Sequence, residues 1–190
     1  MQFPTDKPTL RRQLIVARQT MDSPLRKAAE KSIGSHIAQR IAPNDVVGGY
    51  CAINGEVDVF ELLGRLFAGG QRLCLPVVVG PGQPLVFKAW KPSDGLKAGA
   101  YKVLCPVETA ENLEPDVVLV PLVGYNALGF RLGYGGGYYD RTIEALRKRS
   151  KPVHILGIGF SQQSLADMPV EPHDQRLDAI ITENGVQEFS

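Results

Sequence analysis

Six of the fourteen residues from Gly124 to Gly137 are glycine. They lie between the most continuous apolar run of the chain, Val117 to Val123, and a helix-like run, Tyr138 to Arg149. Glycine at that density loses conformational entropy on folding, so it is retained where the backbone must adopt positive φ or approach a ligand closely. A strand, a glycine loop and a helix in that order direct loop amides and the positive end of a helix dipole at one place, which is the geometry of a phosphate cradle. Arg131, Tyr134, Tyr138, Tyr139, Asp140 and Arg141 are threaded through the loop and its helix start as a charged, aromatic rim.

The rest of the chain supplies more units of the same kind. Asp6 is placed to cap a first helix to about Met21, with Leu10, Leu14, Ala17 and Met21 on one face and Lys7, Arg11 and Arg18 bordering it. Ser23-Pro24 opens a second helix that turns Leu25, Ala28, Ala29, Ile33, Ile37 and Ile41 inward before Pro43. Val46 to Cys51 then reads as a strand, Asp58 to Ala68 as a helix, Arg72 to Val79 and Pro84 to Trp90 as strands, and Lys91 to Ala100 as a loop. After the glycine loop and its helix, His154 to Phe160 and Asp178 to Thr182 close the series as strands. Alternation of this kind requires crossover connections, so the expected fold is α/β: a three-layer α/β/α single domain, residues 1–190, with a mainly parallel sheet. Ligands in such sheets gather at the carboxyl ends of the strands. That brings together the loops Ala52 to Asp58, Gly124 to Arg141 and Ser161 to Leu177.

Composition narrows the function classes. A net charge of +1 on 190 residues gives no reason to expect nucleic acid or an anionic membrane surface as partner. Three cysteines without CxxC spacing argue against a disulfide framework or a structural zinc. No apolar run reaches membrane-span length and the N-terminus lacks the apolar core of a signal peptide, so a cytoplasmic protein is expected. His36, near an apolar face, reads as a packed residue rather than a ligand.

Two common phosphate motifs are absent. No lysine followed by Ser or Thr closes the glycines, which excludes a standard P-loop, and a dinucleotide GxGxxG from Gly133 would need glycine where Tyr138 stands. The block that remains, RLGYGGGYYDR at 131–141, resembles the signature of the 5-formyltetrahydrofolate cyclo-ligases, also called methenyltetrahydrofolate synthetases. The resemblance extends in order along most of the chain: Lys7 and Arg11, Glu56-Val57-Asp58, Leu75-Pro76, Phe87-Lys88-Ala89-Trp90, Pro172-His173-Asp174 and Leu177-Asp178.

The resemblance implies ATP- and magnesium-dependent conversion of 5-formyltetrahydrofolate to 5,10-methenyltetrahydrofolate with release of ADP and phosphate. It implies ATP contacts from Lys7, Arg11, Arg131, Leu132, Gly133, Tyr134, Gly135, Gly136, Gly137, Tyr138 and Tyr139, with Arg131 and Lys7 acting in catalysis. Glu56, Trp90, Tyr138 and Tyr139 would contact the folate, and Asp140 and Asp174 would bind Mg2+. The partners implied are ATP as co-substrate and 5-formyltetrahydrofolate, on a monomer, with neither nucleic acid nor membrane. For Arg131 and Asp140, the competing structural reading is an ion pair that pins the loop. The chain departs from the family pattern at Tyr125-Asn126, Val59 and Cys105, which keeps two alternatives open: a non-catalytic folate- or nucleotide-binding paralogue, and an ATP-dependent ligase for another formamide.

Overall fold

The computed structural model of the protein describes residues 6–189. In chain order the elements are α1 (Lys7–Gln19), α2 (Ser23–Ala38), β1 (Val46–Gly48), α3 (Phe60–Ala68), β2 (Arg72–Val77), β3 (Val86–Trp90), β4 (Lys97–Ala98), β5 (Leu104–Cys105) and β6 (Val117–Pro121). They continue with β7 (Gly124–Asn126), β8 (Arg131–Leu132), α4 (Tyr138–Arg147), β9 (His154–Ile158), β10 (Ser164–Leu165), β11 (Ala179–Thr182) and β12 (Gly185–Glu188). Residues 1–5, part of the N-terminal stretch read above for a signal peptide, lie outside the described residues.

One seven-stranded sheet, in the order β12-β11-β9-β6-β1-β2-β3, carries the fold. Its inner pairs are parallel, and the edge strands β12 and β3 run antiparallel to their neighbours. The pleat of β6 sorts the core. Val117 and Leu119 join the cluster under α2 and α3, while Val118 and Val120 join Ile143 of α4 on the other face. Helices therefore cover both faces, the arrangement that a parallel sheet buried on two sides demands. A third cluster, around Leu10 of α1 with Val123, Leu132 and Met168, lies beyond the end of β6. The strand order reverses between β1 and β6, since β2 lies beyond β1 and β9 beyond β6. A crevice opens at the carboxyl ends of strands at such a switch point.

The structure differs from the sequence reading at several places. The second helix is capped by Asp22, whose side chain accepts from the Leu25 amide, rather than by Ser23. Leu25 is 66% exposed and Ala28 is also exposed, so the inward face narrows to Ala29, Ile33 and Ile37 with Ile41 at its margin. On α1 the buried positions are Leu10 and Arg18, and Ala17 faces solvent. That helix covers strand ends and loops, where unpaired carbonyls call for a donor, so a buried arginine takes the place of an apolar residue. The strands end earlier than their apolar runs, because Gly49 to Cys51 and Leu122-Val123 already belong to the crossover loops. The stretch Lys91 to Ala100 contains β4, which pairs with β5, and β7 pairs with β8 as a hairpin inside the glycine-rich stretch. Asn126 makes that hairpin turn: its Oδ1 accepts from the Leu128 and Phe130 amides, both at 3.0 Å.

Leu119 is completely buried on the central strand. Leu119→Ala is expected to destabilise the protein by about 3 kcal/mol, read from urea denaturation; a loss well under 1 kcal/mol would contradict this assignment of the core centre.

Candidate functional site

At the switch point the crevice has a volume of about 770 Å³, and the three loops expected to meet there do so. Arg11, one turn along α1 from Lys7, donates from Nε to the carbonyl of Gly133 at 2.6 Å. Lys7 pairs with Asp174 at 3.0 Å and Glu171 at 3.1 Å. Burial works against the Lys7 ammonium, but its two carboxylate partners outweigh it and hold the pKa above the ordinary lysine value. Helix α1 is thus fastened to the glycine loop by one basic residue and to the Ser161–Leu177 loop by another. Arg11 has no carboxylate partner among the described residues, so its charge remains available to an anion in the crevice.

The glycines serve two geometric needs. Gly135 and Gly137 hold positive φ, +95° and +64°, which a side chain would strain. Gly137 is the N-cap of α4, and no side chain caps that helix. The amide end of a ten-residue helix therefore opens onto the crevice, with Asp140 in its first turn. Arg141 folds back from α4, donating to the Gly136 carbonyl at 2.6 Å and lying 5.3 Å over the Tyr138 ring.

Arg131 and Asp140 pair at 2.8 Å, so the structural reading of these two residues is realised in the structure. The other Arg131 terminal nitrogen donates to the Gln175 carbonyl at 2.9 Å, and the Gln175 amide donates to Asp140 at 3.0 Å. Burial lowers the pKa of the Arg131 guanidinium against the pull of Asp140. Ligand atoms of Glu171, His173 and Asp174 lie within 4.8 Å of one another, a group to which Asp140 does not belong. For a hard cation the useful donors are carboxylate oxygens. Asp140 makes its protein bonds through Oδ1 and Asp174 through Oδ2, which leaves the second oxygen of each without a partner among the described residues.

The opposite wall comes from the loop after β1. Glu56 is buried, and its Oε2 accepts from the Ile53 amide at 3.0 Å. Burial raises its pKa to about 7, opposed by the Ile53 amide, by Arg18 and by Tyr134. Tyr50, also buried, donates to the Val57 carbonyl at 2.8 Å. Cys51 lines the same wall as a neutral thiol, its pKa pushed up to about 12 by burial.

Two side chains missed from the sequence stand at the site. Tyr101 is 73% exposed, lies between β4 and β5, and meets the Tyr138 hydroxyl at 2.9 Å across the crevice mouth. Its φ of 54° in a non-glycine residue, followed by Lys102 at 61°, marks a strained turn. No local pattern in Gly99 to Cys105 separates such a turn from an ordinary loop. Arg18 is the second; it was read as part of a border stripe, yet it has no exposed surface. Of the residues expected at the site, all but Trp90 line the crevice. Trp90 packs in the core 5.3 Å from the Phe60 ring. β3 runs antiparallel to β2, so Trp90 pairs with Leu73 at the start of β2, the end away from the crevice.

Residues 4–183 match the model of the 5-formyltetrahydrofolate cyclo-ligase family. The chain is 32% identical over 150 residues to the 5-formyltetrahydrofolate cyclo-ligase of Escherichia coli K12, covering 75% of this chain and 80% of that one. It is 27% identical over 186 residues to the Mycolicibacterium smegmatis cyclo-ligase, covering 94% of each. Among solved structures it resembles the 5,10-methenyltetrahydrofolate synthetase of Aquifex aeolicus, with a TM-score of 0.79, 29% identity and coverage of 96% and 92%. The synthetase from Mycoplasma pneumoniae gives a TM-score of 0.75 at 25% identity, covering 94% and 99%.

Arg131→Met strips Asp140 of its buried partner and unhooks Gln175. It is expected to cost about 3 kcal/mol of stability in urea titrations, and Asp140→Asn, which keeps an acceptor at Oδ1, less. Equal, negligible losses would show that the pair does not hold the loops together.

Proposed function

The chain belongs to the 5-formyltetrahydrofolate cyclo-ligase family, and on that premise we propose that it converts 5-formyltetrahydrofolate to 5,10-methenyltetrahydrofolate, using ATP and releasing ADP and phosphate. The observation that carries the proposal is the convergence on one crevice of Lys7, Arg11, the Gly133–Gly137 amides and the open end of α4, facing the buried carboxyl of Glu56. One side suits a triphosphate and the other a polar, flat ring. The same reading has the protein acting as a cytoplasmic monomer; among its described residues no helix is long and apolar enough to cross a membrane.

A formamide is a poor electrophile. In the proposed reaction its oxygen attacks the γ-phosphorus of ATP, and ADP departs. N10 then attacks the activated carbon, loses its proton, and the carbon–oxygen bond breaks with its electron pair leaving on phosphate. Phosphoryl transfer asks mainly for positioning and charge neutralisation. Arg11, Lys7, Arg131 and the loop amides supply these, and Tyr138 and Tyr139 offer aromatic faces with a polar tip. Asp140 and Asp174 would hold magnesium through their second oxygens, and the ion when bound would neutralise phosphate charge. Glu56 is the group suited to take the N10 proton, because a carboxyl with a pKa of about 7 is both a usable base and easily recharged near neutral pH.

Folded protein mixed with magnesium-ATP and 5-formyltetrahydrofolate is expected to form the methenyl product, followed by its absorbance. ADP release with another formamide but not with this substrate, or ligand binding without ADP release, would replace the proposal by one of the two alternatives. The ionised form of Glu56 is the active one, so turnover should rise as pH increases through about 7. Glu56→Gln should lower turnover by about a hundredfold or more and abolish that rise; a wild-type-like profile in this variant would remove Glu56 from the proton step. Asp140→Asn and Asp174→Asn are each expected to weaken the magnesium requirement's half-saturation, and unchanged magnesium titrations in both would refute their assignment.

A further inference from the structure

Arg18 lies on the same helix as Lys7 and Arg11 but points its charge into the protein. Its Nε donates to the Asn54 carbonyl at 2.9 Å and its Nη1 to the Leu122 carbonyl at 2.9 Å. Its Nη2 contacts the Ile53 carbonyl at 3.5 Å and donates to the Tyr134 hydroxyl. The same Nη2 stands 3.9 Å from a Glu56 carboxylate oxygen. One guanidinium therefore touches the loop after β1, the end of β6, and the glycine loop, which together make up the two sides of the switch point. A guanidinium offers five donors in a rigid plane, so these acceptors can satisfy it only in one relative arrangement. A buried charge also needs a counter-charge, and Glu56 is the carboxylate with which Arg18 pairs.

We propose that Arg18 is a positioning residue of the reaction: it sets Glu56 on the substrate wall and Tyr134 on the nucleotide loop in one register, so that the two half-sites form together. The inference rests on the function proposed above. The groups facing Glu56 are Arg18 from α1, Tyr134 and Tyr139 from the glycine loop and α4, and Tyr50 from the loop after β1. Of these, Arg18 alone is cationic and Tyr134 alone reaches both Arg18 and the loop after β1, where Asn54 Nδ2 lies 3.4 Å from its hydroxyl. A change confined to the glycine loop should therefore be felt at the substrate carboxylate. No direct contact between ATP and folate is needed for this.

The variant that tests it gently is Tyr134→Phe, which removes only one hydroxyl from a side chain that is 44% exposed. It is expected to raise the KM for 5-formyltetrahydrofolate roughly fivefold, the effect of one lost hydrogen bond, and to move the acidic limb of the pH profile to higher pH. In the background of Arg18→Lys, which keeps the charge but not the planar fork, adding Tyr134→Phe should have little further effect. A second readout does not depend on activity. The carboxyl carbon of Glu56 in 13C-glutamate-labelled protein, assigned by its loss in Glu56→Gln, should titrate at higher pH in Tyr134→Phe than in wild type. An unmoved Glu56 titration, or a Tyr134→Phe effect that persists undiminished beside Arg18→Lys, overturns the proposal. If the carbon titrates as expected while no methenyl product forms, the positioning network stands and the assigned reaction falls.

Discussion

A guanidinium group without exposed surface joins the parts of this molecule that would otherwise be separate. The sheet brings β1 and β6 side by side, but the loops that leave them diverge to opposite sides, as the chain must at any switch point. Nothing in strand pairing dictates how those loops face each other. Arg18 does so by holding carbonyls of both loops and a hydroxyl of the glycine turn at once. Arg26 of α2 adds a second tie, donating to the Gly55 carbonyl at 3.0 Å and to the Arg18 carbonyl. These bonds replace water for carbonyl groups that lie past the ends of the sheet ladder, where an unsatisfied group would be destabilising.

Charge in the crevice follows one pattern. Glu56 is matched with Arg18, Asp174 with Lys7, and Asp140 with Arg131. Each pair joins segments from different elements, and the Lys7–Asp174 pair spans 167 residues of sequence. Removing two charges from water is unfavourable unless geometry and extra hydrogen bonds compensate, so such pairs contribute more to a unique arrangement than to raw stability. Lys7 is shared with Glu171, so acids and bases around the crevice are equal in number, and what remains for a ligand is local: Arg11, which has no carboxylate partner among the described residues, and the open end of α4. Both favour an anion, and both lie beside the glycine turn.

Much of the fold was legible before any coordinates. Strand and helix alternation implied a parallel sheet between helices, and the apolar runs located the central strands to within a few residues. The glycine density pointed to a positive-φ turn before a helix, and Gly135 and Gly137 have that geometry. What failed were readings that depend on the direction in which a side chain faces. Leu25 was placed inward by helical spacing and is exposed, whereas Arg18 was placed at a border and is buried. Trp90 ends a strand whose direction cannot be read from its own residues; antiparallel pairing carries it to the end of the sheet away from the crevice. Tyr101 lies in a short stretch, Gly99 to Cys105, that matches no helix or strand period.

The sequence alone determined the kinds of groups this protein has at hand: a glycine turn before a helix, spaced cations on a first helix, and acids in three loops, because these follow from local backbone preference and periodicity. Only the tertiary structure decided which acid meets which base, that Arg11 has no acidic partner among the described residues, and that one arginine spans both sides of the crevice. Those outcomes depend on loops separated by more than a hundred residues closing on one point. Contacts of that kind are set by the order and direction of strands, which no stretch of the chain encodes by itself.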